Sequence, residues 1–91
     1  MIAIWKFPFN VDDRFTITMP MAATILTAQV QDTQPCLWAL VDTEAAPEVR
    51  QFTIFGTGHS VPDIDLEWIS TFQTGIFVWH MFEVLSTDEQ S

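Results

Sequence analysis

The chain has 91 residues, 48% of them hydrophobic, with twelve acidic against three basic side chains and a formal net charge of −9. That length makes one domain with its own core, and eight Phe and four Trp supply the bulk to fill it, which excludes a disordered body. A field of this sign repels phosphate backbones and anionic lipid surfaces, so direct nucleic-acid binding and membrane attachment are disfavoured, and a protein partner with a basic surface is favoured.

Residues 2–9 read as a first strand, with Ile2 and Ile4 on one face and Ala3, Trp5 and Phe7 on the other. Pro8 confines that strand to a sheet edge or ends it. After a turn at residues 10–13, Phe15, Ile17 and Met19 alternate with Thr16 and Thr18 in a half-buried strand stopped by Pro20. Residues 25–31 alternate again, with Leu26, Ala28 and Val30 expected inward and Thr27, Gln29 and Gln31 outward. The polar link Asp32, Thr33, Gln34 and Pro35 then joins this strand, as an antiparallel hairpin, to the most apolar run of the chain. Cys36, Leu37, Trp38, Ala39, Leu40 and Val41 are too few for a helix and show no polar face, so they predict a central strand buried on both sides.

Residues 43–49 read as a loop, because Thr43 caps at most one turn before Pro47. Residues 51–55 return to alternation with Phe52 and Ile54 inward, and Gly56, Thr57 and Gly58 form a turn into His59. Residues 60–65 are a surface loop, and the stretches 66–73 and 76–85 form a last hairpin about Thr74 and Gly75. Seven strands with hardly any helix predict an all-β fold, a small antiparallel sandwich or barrel over residues 1–85, followed by a polar tail at 86–91. The lone Cys36 cannot close an internal disulfide, and the N-terminus lacks a basic region followed by an apolar one. The longest uncharged stretch, residues 15–31, is too short and too polar to span a bilayer, so a soluble cytoplasmic protein is expected.

The segments Ile4-Trp5-Lys6, Pro35-Cys36-Leu37-Trp38-Ala39-Leu40-Val41-Asp42 and Gly56-Thr57-Gly58-His59, with Val78-Trp79-His80 near the end, carry a likeness in order and spacing over nearly the whole chain. In them the chain resembles a family of short proteins encoded by bacteriophages and prophage-bearing bacteria. The resemblance implies a phage origin, hence the cytoplasm of a host cell, and it carries over no catalytic, metal or cofactor residue. Two departures bear on local turn geometry: Met21-Ala22-Ala23 stands where a Gly-Ala pair is common, and Ser70 replaces a common Gly.

Reactive chemistry finds little support along the chain. His59 and His80 would need to converge with a carboxylate such as Asp63 or Glu83 to bind a metal or to exchange protons. Asp63, Asp65 and Glu67 alternate but lack the length and glycine of a calcium loop, and Gly56-Thr57-Gly58 has no following Lys to make it a phosphate loop. No Gly-x-Ser-x-Gly elbow is present, and a thiolate at Cys36 would be costly in its apolar run. The aromatics point elsewhere. Trp5, Trp38, Trp68 and Trp79 with Phe7, Phe9 and Phe55 are too many for one inward face, so one or two are expected at the surface. Rimmed by acidic residues, they would make a protein interface: Trp5, Phe55 and His59 with Asp12, Asp13, Glu44 and Glu48.

The sequence thus predicts a non-enzymatic binding protein without cofactors, acting by protein–protein interaction, in its narrower form an acidic inhibitor of a host defence protein. Two alternatives stand beside it, a minor virion or assembly protein, and a small metal-dependent or hydrolytic enzyme using His59 and His80.

Overall fold

The structure, a computed structural model, describes residues 1–85; the predicted tail at 86–91 lies outside them. Seven strands run in chain order: β1 (Ile2–Pro8), β2 (Arg14–Pro20), β3 (Thr24–Gln31), β4 (Gln34–Asp42), β5 (Pro47–Gly56), β6 (Leu66–Thr74) and β7 (Phe77–Val84). They form two antiparallel sheets, β1-β4-β3 and β2-β5-β7-β6. The inner faces pack together as a small all-β sandwich, as the alternation predicts.

Burial follows the period-2 pattern closely in β2, where Phe15, Ile17 and Met19 point inward, and in β4, where Leu37, Ala39 and Val41 are buried. Aromatic rings link the layers. Phe52 stacks on Phe15 at 5.9 Å between centroids, Phe15 on Phe9 at 5.3 Å, and Phe9 meets Phe72 edge-on at 6.0 Å.

Three expectations need correction. The central strand β4 is not buried on both faces: Leu40 is 39% exposed and Trp38 half-buried, because among the described residues no further layer covers the outer face of the β1-β4-β3 sheet. Cys36 on that face is nevertheless buried, beneath a hydrogen bond from Lys6 Nζ to Gln31 Oε1 (2.8 Å) that crosses from β1 to β3. In β3, Leu26 points outward and Ile25 inward, since a bulge between Ile25 and Thr27 reverses the alternation partway along the strand. Finally, β5 begins at Pro47 and not after residue 50, pairing back along β2 to Pro20. Polar residues disguise this half of β5: Glu48 and Arg50 lie on the partly buried side and Val49 is 63% exposed.

Arg50 is turned inward because it has a partner. Its Nε donates to Glu83 Oε2 (2.7 Å), its Nη2 to Glu83 Oε1 (2.8 Å), and its Nη1 to the Ala23 carbonyl (2.6 Å). The hydrogen bonds to Glu83 and the charge of that carboxylate hold the Arg50 pKa above its ordinary value against the cost of burial.

Ala22 and Ser70, where turn geometry was in question, take different forms. Ala22 holds a left-handed φ of 64°, a conformation glycine adopts without strain, and its N–H donates to Glu48 Oε1 (3.3 Å). Ser70 is not in a turn; it lies buried within β6, where its hydroxyl donates to the Ala28 carbonyl of β3 (2.7 Å).

Candidate interaction surface

The β2–β5 ladder runs from Arg14↔Thr53 at one end to Pro20↔Pro47 at the other, about 20 Å at the usual rise per residue. The seven expected surface residues divide between these ends. At the Pro20 end, Trp5, 41% exposed, lines a shallow cleft of about 210 Å³ with Thr18, Met19, Pro20, Thr43 and Pro47. Glu44 and Glu48 belong to this end, and Glu48 is partly committed to the Ala22 N–H. At the Arg14 end, Asp13, Phe55 and His59 share a second cleft of about 390 Å³ with Thr53, Ile54 and Ser60. Asp12 sits beside it, its Oδ1 accepting from the Asp13 N–H (2.7 Å), while the Asp13 carbonyl accepts from the Thr53 hydroxyl and the Ile54 N–H.

His59 closes a turn from Gly56, with its N–H donating to the Gly56 carbonyl (3.1 Å) and Gly58 at φ 92°, the third position of a type II turn. The imidazole lies on Gly56 so closely that a Cβ there would meet ring atoms at 3.1 to 3.4 Å. Replacing Gly56 by alanine is therefore expected to displace the ring. Because His59 is exposed and free to yield, stability should change by no more than about 0.5 kcal/mol. Chemical shifts of the His59 ring alongside a urea melt check both parts.

On its other side His59 faces a third cleft of about 440 Å³, formed with Gly56, Thr57, Ile76, Phe77, Val78 and Trp79. The β6–β7 hairpin supplies that wall. Gly75 at φ 57° turns the chain, and Phe77 stacks on Trp79 at 5.6 Å, whose indole N–H donates to Thr74 (2.8 Å). The tip is left uncovered: Ile76 is 87% and Phe77 58% exposed. Residues 51–62 and 68–82 contain no Asp, Glu, Lys or Arg, so the strands around His59 form a nearly charge-free region on an acidic protein. Interface centres are depleted of charge and enriched in aromatics in this way. The expected surface included Phe55 and His59 but missed Ile76 and Phe77, which look like core residues in a strand pattern; the uncharged stretches were the signal for them.

Residues 1–91 match the family described as Domain of unknown function (DUF7352). The chain belongs to that family. No curated protein and no solved structure matches it.

In this DUF7352 chain the two histidines sit in different settings. His80 lies on β7 with Nε2 2.8 Å from the Thr57 hydroxyl and Nδ1 3.1 Å from that of Thr71. Thr71 in turn accepts from the Trp68 indole N–H (3.3 Å), so the imidazole straps β6, β7 and the turn after β5 together. Glu83, the carboxylate nearest in sequence, is turned to the inner face and taken by Arg50. Among the described residues no three His, Cys, Asp or Glu side chains are grouped so as to hold a metal. Of the four tryptophans, Trp5 and Trp68 are exposed, in keeping with one or two reaching the surface.

Proposed function

We propose that this chain is a non-enzymatic binding protein of phage type that occupies a partner protein through the tip of the β6–β7 hairpin and the cleft beside His59. The observation that carries this reading is the uncovered, charge-free cluster of Ile76, Phe77 and Val78 next to that cleft, on a chain of net charge −9. A side chain such as Phe77 inserted into a partner's pocket acts as an anchor, while the surrounding acidic surface steers and orients a basic partner. The narrower form, inhibition of a host defence protein by occluding its nucleic-acid channel, is supported by the phage-like resemblance together with the charge.

The test is a comparison of immobilised wild type with an Ile76→Ser/Phe77→Ser double variant. These residues contribute little to the core, so the variant is expected to melt with the wild type. A partner retained by the wild type and released by the variant, with affinity at least tenfold lower, is the expected result. Equal retention by both would reject the hairpin as the binding surface. Raising the salt separates the two forms: affinity that falls steeply supports mimicry of nucleic acid, and affinity indifferent to salt leaves binding but removes mimicry.

A second reading, a minor virion or assembly protein, is favoured by a different surface. The uncovered face of the β1-β4-β3 sheet presents Ile2 (62% exposed), Ile4 (61%), Leu26 (47%) and Leu40 (39%). Sedimentation across a wide concentration range decides between them, since an assembly protein must self-associate and a monomer at all concentrations would not.

A further inference from the structure

The outer face of the β1-β4-β3 sheet is ordered as well as apolar. In β4 the buried Leu37, Ala39 and Val41 point inward, so Trp38, Leu40 and Asp42 point outward, and the register sets Lys6, Ile4 and Ile2 beside them on β1. Ile2 and Ile4 are each more than half exposed, and Leu26, turned outward at the bulge of β3, widens the apolar surface. All three strands together hold only two charged side chains, Lys6 and Asp42, one of each sign, on a chain of net charge −9. Both lie on this face, four residues or about 13 Å apart along the strands, with Ile4 and Leu40 midway between them.

Neither charge is used up. Lys6 Nζ donates to Gln31 Oε1 (2.8 Å), which takes one of its three protons. Asp42 accepts from the Glu44 N–H (3.0 Å) through Oδ1, the same oxygen that lies 3.7 Å from the N-terminal amine. The pattern is self-complementary. When two such faces meet about a two-fold axis that runs across the strands at Ile4 and Leu40, Lys6 of each copy stands against Asp42 of the other. The two sheets then cross at about 30°, the usual angle of aligned sheets. A basic partner finds only one carboxylate here, whereas a second copy brings a face with no net charge of its own. The carboxylates elsewhere on the two chains are screened beyond about 8 Å at physiological salt. Counting both copies, the contact covers roughly 1,000 Å², the lower bound of a specific interface.

We infer that the chain forms a closed two-fold dimer through this face, centred on Ile4 and Leu40 and held in register by two Lys6–Asp42 pairs. The inference goes beyond both readings of function, since it needs neither the hairpin's partner nor a place in a larger assembly. The β6–β7 hairpin belongs to the other sheet, so a dimer leaves both tips free and presents them as a bivalent pair.

Sedimentation of the wild-type chain at physiological salt is expected to show monomer and dimer in equilibrium, with a midpoint between about 10 and 100 µM for so small a contact. Ile4→Lys sets like charges at the centre and should leave a monomer throughout; Ile4 is exposed, so its melt below that midpoint should match wild type. Lys6→Asp and Asp42→Lys should each pair at least tenfold more weakly alone, yet an equimolar mixture of the two should pair like wild type, because every facing couple then has opposite signs. A role of either residue in its own chain alone gives no such rescue. A wild-type monomer at all concentrations, a dimer untouched by Ile4→Lys, growth beyond two copies, or a mixture no better than its components would overturn the inference. The Ile76→Ser/Phe77→Ser variant should dimerise like wild type. Loss of partner with the dimer intact therefore bears on the hairpin alone, and loss of the dimer with partner retained bears on this face alone.

Discussion

Replacing Glu83 by alanine is expected to destabilise the fold by about 3 to 5 kcal/mol, because it removes the carboxylate bonded bidentately to the largely buried Arg50 guanidinium and leaves only the weaker pull of Glu48 and Glu67. The side chains of Arg50 and Glu83 are only 17% and 10% exposed, and their contact is bidentate at 2.7 and 2.8 Å. Each kcal/mol is worth about 4 to 8 °C in the melting midpoint of a domain this size, so a fall of more than about 10 °C should be seen. The double variant Arg50→Met/Glu83→Leu should recover most of the loss, since a packed apolar pair replaces two buried charges whose desolvation largely cancels their attraction. A loss below about 1 kcal/mol for Glu83→Ala would show that water screens the pair as it does at an open surface.

The pH dependence has a definite sign. Arg50 has its pKa raised, chiefly by the hydrogen bonds it donates to Glu83, so its protonated form is favoured in the folded state. The corresponding stability is present in full below the unfolded value and is lost only as pH rises through the raised folded value. Both lie in strong alkali. A urea titration should therefore show no Arg50-linked change across neutral and mildly alkaline pH.

Phe52→Ala is expected to cost about 3 to 5 kcal/mol, the usual range for a buried phenylalanine reduced to alanine. Phe52 is fully buried and stands between Phe15 in β2 and its cross-strand neighbour Glu83 in β7. The cavity would remove support from the run of rings through Phe15, Phe9 and Phe72 that ties the two sheets. It would also loosen the neighbouring ion pair, so the Phe52→Ala/Glu83→Ala double variant should depart from additivity by about 0.5 kcal/mol or more. Urea melts of the four proteins in the cycle measure this directly. Additive losses would show that ring stack and ion pair act independently.

Much of this architecture is legible in the order of the residues alone. The alternation of Phe15, Ile17 and Met19 and the punctuation by Pro8, Pro20 and Gly75 reappear as strands and turns, and the polar link expected from Asp32 to Pro35 reappears shortened, since Gln34 and Pro35 already belong to β4. Those features are local: a strand's two faces and a tight turn are set by consecutive residues. Asp32 and Thr33 indeed both adopt positive φ, 50° and 69°, in the two-residue loop that their position between paired Gln31 and Gln34 requires.

The departures from that local pattern come from contacts between distant residues. Leu26 changes sides because a bulge, placed where β3 meets β6, inserts one residue into the ladder. The first half of β5 looks like a loop because Arg50 is polar, and its partner Glu83 lies 33 positions away. The binding candidates follow the same division. Exposed aromatics and an acidic surface are implied by composition, since one small core cannot hold every large ring and charges cannot enter it. Which rings stay outside, and which of them meet in one cleft, depends on how two separately legible sheets stack and where their edges part. That choice is made by packing across the whole molecule, and no window of neighbouring residues records it.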